Sequence, residues 1–264
     1  MKFIIYVLIL LFLFSCKGDN SFADDIALVY PKNVKMNFQK FNQDINDFGS
    51  YLIYKGKLKD SIFVKYYKHI GLPPPPPPPP PPPENYSKNF KIKDSLENVR
   101  LKNIFSNYFY DENFHLKFSE KTKKLDSLSN KNIKIIVNIN DTIPLYSYFN
   151  DTLRTFKAYP VFIKNISRDT LKMVYFFNRF RLNSKGKWEF IRNGNHYYGA
   201  CIPPPYPEYF ELSPNEILIY AIPFFEGTMK QKFKLKIGGA YSNEYESSIN
   251  DFVIKNQEFT FLDE

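Results

Sequence analysis

The chain has 264 residues, two cysteines and three histidines, with 36 basic against 27 acidic side chains for a formal net charge of +9. That length supports one large or two modest packed domains, whereas so few cysteines and histidines exclude a disulfide-built scaffold and leave little for metal or acid–base chemistry. The lysines are spread rather than blocked, so the positive charge suits anionic glycans or phospholipid surfaces and not nucleic acid.

Met1 and Lys2 precede an apolar run at residues 3–14, then Ser15-Cys16 and the polar Lys17-Gly18-Asp19-Asn20. This is the order of a secretory signal: a basic start, a short apolar stretch, a small residue before the cut. The run is about a dozen residues, short of the roughly 20 that a spanning helix needs. Leu13-Phe14-Ser15-Cys16 resembles the lipobox of bacterial lipoproteins. The resemblance implies removal of residues 1–15 and lipidation of Cys16, with two or more acyl chains giving stable attachment. Lys17, standing where an inner-membrane retention signal would place aspartate, implies delivery to the outer membrane.

Residues 16–72 read as an N-terminal tether and helical region. Phe38, Phe41, Ile45, Phe48 and Leu52 recur at steps of three and four, the stripe of an amphipathic helix that Asn33 could cap. Beyond it, Ile62-Phe63-Val64 with Tyr66-Tyr67 suits either strand or helix. Prolines 73–83 form an unbroken run that favours polyproline II, a stiff spacer roughly 34 Å long. In the next stretch, 84–130, Leu96, Val99, Ile104, Phe105 and Tyr108 fit a helix, and the Lys-rich segment 117–124 reads as a solvated face or loop.

From residue 131 to 264 the period changes to two. Ile133, Ile135, Val137 and Ile139 alternate, as do Leu171, Met173, Tyr175 and Phe177. Phe180 and Leu182 should face Trp188 and Phe190 across Ser184-Lys185-Gly186-Lys187, a hairpin turn in which Gly186 can supply a positive φ. Phe233, Leu235 and Ile237 alternate with Lys232, Lys234 and Lys236, a lysine row best read as the wet face of a strand. Repeated strands without intervening helices predict a mainly β fold, an antiparallel β-sandwich preceded by helical segments and the proline spacer. The segment Val161-Phe162-Ile163-Lys164-Asn165-Ile166-Ser167-Arg168-Asp169-Thr170-Leu171 resembles the strand–turn–strand of immunoglobulin-like domains in bacterial envelope proteins. Ser213-Pro214-Asn215-Glu216 before 217–222 is similar to their later turn and strand. Together these imply an immunoglobulin-like domain over 131–264.

No catalytic constellation is legible: there is no phosphate loop, no nucleophile elbow and no metal-ligand spacing among His69, His115 and His196. Cys201 reads as a small apolar residue rather than a nucleophile. The chain is therefore expected to be no enzyme and to need no cofactor or metal. The 18% aromatic content goes with abundant Lys, Asn and Ile and scarce Gly and Trp, the codon profile of a low-GC genome. The best candidate recognition surface is the loop 192–207, in which Asn195, His196, Tyr197, Tyr198 and Tyr206 combine adaptable polar groups with rigid amphipathic rings. A recurring tripeptide, Asp60-Ser61-Ile62, Asp94-Ser95-Leu96, Asp126-Ser127-Leu128, Asp141-Thr142-Ile143, Asp151-Thr152-Leu153 and Asp169-Thr170-Leu171, resembles an O-glycosylation motif of Gram-negative envelope proteins. The expectation is a membrane-anchored envelope lipoprotein that binds a protein or glycan partner. The alternative is a structural, assembly or immunity-type accessory whose partner reads the helical region.

Overall fold

A computed structural model describes residues 21–40, 51–68, 88–113, 117–118, 126–149, 152–173, 177–191 and 208–255. The signal segment, Cys16 and prolines 73–83 lie outside them. The N-terminal strands are β1 (Ala27–Val29), β2 (Leu52–Lys57), β3 (Ser61–Phe63) and β4 (Tyr66–Lys68), followed by helix α1 (Lys88–Tyr108) and strands β5 (Phe109–Asn113) and β6 (Lys117–Phe118). Then come β7 (Ile133–Val137), β8 (Ile143–Phe149), β9 (Thr152–Asn165), β10 (Leu171–Met173), β11 (Asn178–Leu182) and β12 (Trp188–Ile191). The chain continues through β13 (Glu208–Leu212), β14 (Glu216–Pro223), β15 (Met229–Ile237), β16 (Ala240–Tyr241), β17 (Tyr245–Ile249) and a short helix α2 (Asp251–Lys255). The architecture is mainly β with antiparallel principal sheets, as the alternating patterns predict.

The central sheet runs β2-β14-β9, with β7 and β8 sharing the far edge of β9. β7 pairs from Ile133↔Asn165 to Val137↔Val161, and β8 from Ile143↔Ala158 to Phe149↔Thr152, so the two form one line broken opposite Tyr159 and Pro160. The break has a local cause. Pro160 has no N–H to give, and its carbonyl faces this edge, where it accepts from the Asn138 N–H at 3.1 Å. The second sheet runs β12-β11-β15, with β17 and β16 pairing successive parts of the far edge of β15. A third, short sheet is β10-β13-β6.

Between the sheets lies one apolar cluster. Val161, Ile163, Leu218 and Tyr220 of the central sheet meet Phe233, Leu235, Ile237 and Tyr245 of the second, with Met173 and Leu212 of the third closing the side. The buried Tyr159 and Tyr245 hydroxyls, 3.0 Å apart, bridge the two larger sheets. Burial pushes both phenols above their ordinary pKa, against the pull of the nearby Arg179 charge.

The opposite face of the central sheet is buried as well. Ile53, Ile143, Leu145, Phe162, Ile217 and Ile219 are covered by Ala23, Ile26, Ile62, Val64, Tyr66 and Phe109. Two-sided burial explains why the stretch 158–163 of β9 and most of β14 are continuous apolar runs instead of alternating ones. It also corrects the helical reading of 16–72 where the chain is described: residues 21–40 and 51–68 form strands and bridges, including both ends of the helix expected over Phe38–Leu52. Phe38 sits between two bridge residues, Asn37 (to Phe156) and Gln39 (to Phe225), while Leu52 opens β2, which zips onto β14 from Glu216↔Lys57 to Tyr220↔Leu52. Phe41, Ile45 and Phe48 lie outside the described residues. At Leu52 the spacing is overridden because β2 satisfies the open hydrogen-bonding edge of β14, a partner far away in sequence.

Helix α1 forms where expected, but its stripe divides. Leu96 and Val99 are 66% and 54% exposed, whereas Phe105 packs on Tyr148 at 5.2 Å and Tyr108 on Tyr146 at 4.5 Å. Among the side chains described, those of the last turns, Phe105 and Tyr108, join the layer beneath the central sheet.

Candidate functional site

Asn195, His196, Tyr197, Tyr198 and Tyr206, the loop residues nominated for recognition, lie outside the described residues, as do Cys16, Cys201, His69 and His115. The structure does describe the loop's attachment points. β12, which ends at Ile191, is an edge strand of the second sheet, and β13, which begins at Glu208, is the middle strand of the short third sheet. Among the described residues, no three His, Cys, Asp or Glu side chains gather to hold a metal.

What the described residues do assemble is a lysine–aromatic ladder on the outer face of the second sheet. The expected β11–β12 hairpin forms, with Gly186 at φ 72°, and its register sets Phe180 opposite Phe190 and Leu182 opposite Trp188. Asn183 closes the turn, its side-chain oxygen accepting from the backbone N–H groups of Lys185 and Lys187 at 2.9 Å each. Because β11 also pairs with β15, Phe180 lies opposite Lys234 and Asn178 opposite Lys236. On the far edge, Lys236 stands opposite Tyr241. The alternation that sends Phe233, Leu235 and Ile237 inward therefore places the lysines among rings contributed by three other strands.

The contacts are close. Lys234 Nζ lies 4.1 Å from the Trp188 ring centre and 4.5 Å from that of Tyr241, and Lys236 Nζ lies 5.3 Å from Tyr241 and 5.8 Å from Phe180. Each ammonium thus meets the negative face of two rings, an arrangement that holds a cation in place without neutralising it. Among the described residues neither lysine has an acidic partner. Lys232 differs, with Glu244 at 3.9 Å. Phe190, at the sheet edge, is 39% exposed.

The row does not end on the flat sheet. Lys230, one more step along β15, lines a groove of about 400 Å³ between the edges of the two large sheets, together with Lys157, Phe38, Glu246, Ser247 and Ser248. Lys157 Nζ stands 4.5 Å from the Phe38 ring centre. On the inner face of the same β11 strand the charges are spent internally: Arg181 pairs with Glu189 at 2.6 Å, and Arg179 covers Phe225 at 4.6 Å.

Sequence reasoning found the lysine row but read it as a solvated face. The alternation was visible, whereas the ring partners depend on cross-strand registers that no single segment displays. The hydroxyls of the recurring tripeptide are accessible: Ser61, Ser95, Ser127, Thr152 and Thr170 are exposed and Thr142 is half-buried. Compared with protein-family models, curated proteins and solved structures, the chain has no match.

Proposed function

We propose that the chain is a lipid-anchored cell-envelope lipoprotein acting as a non-catalytic binding module, attached through Cys16 to the outer membrane and engaging an envelope protein or glycan. The anchor rests on the Leu13-Phe14-Ser15-Cys16 signal. The binding role rests on one observation: the connection from β12 to β13, residues 192–207, exceeds the roughly 12–15 residues beyond which inter-strand connections are usually functional, and it carries Asn195, His196, Tyr197, Tyr198 and Tyr206. The immunoglobulin-like reading of the sandwich is part of this proposal. Its support is the Asn165 turn and the Ser213–Glu216 turn, where Asn215 adopts φ 61° and the Ser213 N–H donates to the Glu216 carboxylate at 2.8 Å.

Replacing Tyr197, Tyr198 and Tyr206 together by alanine is expected to abolish in-cell crosslinking to the partner while leaving the melting temperature unchanged. A crosslinked partner retained at full yield by that variant would reject the loop as the recognition site. It would favour an accessory role read through the N-terminal half of the chain.

A further inference from the structure

We propose that the lysine–aromatic ladder and the adjoining groove form a binding track for a linear anionic polysaccharide, a second site separate from the 192–207 loop. Lys230, Lys232, Lys234 and Lys236 alternate along β15 on the face away from the core, so successive charges stand about 7 Å apart and the row runs for about 20 Å. One end is the ladder, where Lys234 and Lys236 are fixed over Trp188, Tyr241 and Phe180. At the other end, Lys230 lines the groove, which adds Lys157, Ser247, Ser248 and the carboxylate residue Glu246. Glu244 and Glu246 both lie beside Lys232, and Glu246 also lines the groove, so net positive charge is greatest at the ladder and smaller in the groove, where Lys157 and Lys230 outnumber one carboxylate.

The shape of this charge decides the ligand class. The cations run in single file along one strand and finish in a recess, which fits a thread-like polymer with repeated negative charge and hydroxyls for the serines to bind. A bilayer is planar and is gripped by apolar side chains projecting beyond the charges. Here the rings lie under ammonium groups, and of the four aromatic side chains on the ladder only Phe190 is among the exposed large hydrophobics. Single-stranded nucleic acid requires open ring faces for base stacking, and Lys234 occupies the faces of Trp188 and Tyr241. Held cations also lose less freedom on binding than free lysines do, which favours the anion.

The test is calorimetric titration of the full chain with polygalacturonate at low salt, beside neutral dextran, an oligothymidylate of matched charge and phosphatidylglycerol vesicles. Polygalacturonate should bind, weakening as salt rises, with dextran inert and the other two anions weaker. Lys234→Gln with Lys236→Gln should lower affinity at least about tenfold, while Lys35→Gln with Lys59→Gln, off the track, should change it less than about twofold. If the first pair loses its fold, Lys230→Gln at its exposed position should still cost about threefold. The proposal is overturned by binding no tighter than to dextran, by equal losses in the two double variants, or by oligothymidylate or vesicles binding as tightly as polygalacturonate. None of those results touches the anchor or the loop, which the crosslinking experiment tests separately.

Discussion

Asn165→Asp is expected to lower the unfolding free energy by about 4 kcal/mol, although it exchanges one NH₂ for one oxygen. Asn165 is fully buried at the end of β9. Its amide nitrogen donates to the Asp169 and Leu212 carbonyls at 2.8 Å each, and its oxygen accepts from the Ser167 backbone N–H at 2.9 Å and hydroxyl at 2.7 Å. The side chain therefore closes the turn into β10 and ties β9 to β13, joining two sheets with every polar atom satisfied. A carboxylate oxygen at the nitrogen's place would face two carbonyl oxygens with no proton between them. The Leu212 carbonyl would lose this donor in a buried setting, while the exposed Asp169 carbonyl keeps the Ser167 hydroxyl at 3.1 Å, and a charge would be added. Acid should partly rescue the variant, since a protonated carboxyl can donate once. Its folded-state pKa is raised by this environment, so the deficit grows as pH climbs above the ordinary aspartate value of about 3.9. Thermal unfolding across pH checks both points. Ser167→Ala, which removes one donor and leaves the rest of the turn, should cost only about 1 kcal/mol.

Tyr66→Ala should be comparably damaging, at about 4 kcal/mol and a fall in melting temperature of roughly 10 °C. Tyr66 is fully buried in the layer that covers the second face of the central sheet. Its ring meets Tyr146 edge-on at 6.0 Å, and its hydroxyl donates to the Pro144 carbonyl at 2.8 Å. Truncation opens a cavity against β8 and strands that carbonyl. Tyr66→Phe separates the two effects, losing only the hydrogen bond, at about 1 kcal/mol. The contrast matters for the organisation of the chain. A mobile tether would tolerate alanine at this position, whereas a structural layer would not. Calorimetric unfolding of the two variants, with one cooperative transition in each, distinguishes the cases.

Much of the β region was legible because its signals are local. Gly186 and the alternation on either side of it specify a hairpin, and the Phe233, Leu235, Ile237 pattern specifies a strand with one wet face. The N-terminal half was misread because its partners are remote. Lys55 bonds to Glu216 at a separation of 161 residues, and no spacing within 38–52 reports that β2 is needed at the edge of β14. Continuous apolar runs in β14 and in residues 158–163 of β9 announce burial on both sides, but nothing in them identifies residues from 21–40 and 51–68 as the second cover. Pro160 looks out of place in a strand until β7 and β8 are seen to part opposite it. The ladder was half legible: β15 shows its lysines, while Trp188, Tyr241 and Phe180 come from separate strands whose register emerges only in the assembled sheet.

The most direct test of the central claim, a binding module held to a membrane by lipid on Cys16, is the intact mass of the protein extracted from membranes, measured beside a Cys16→Ala control. The account predicts a mass equal to residues 16–264 plus acyl chains, absent from the control, with any additional hexose-sized increments supporting glycosylation. An unmodified full-length mass would contradict it, removing the anchor and the outer-membrane placement together.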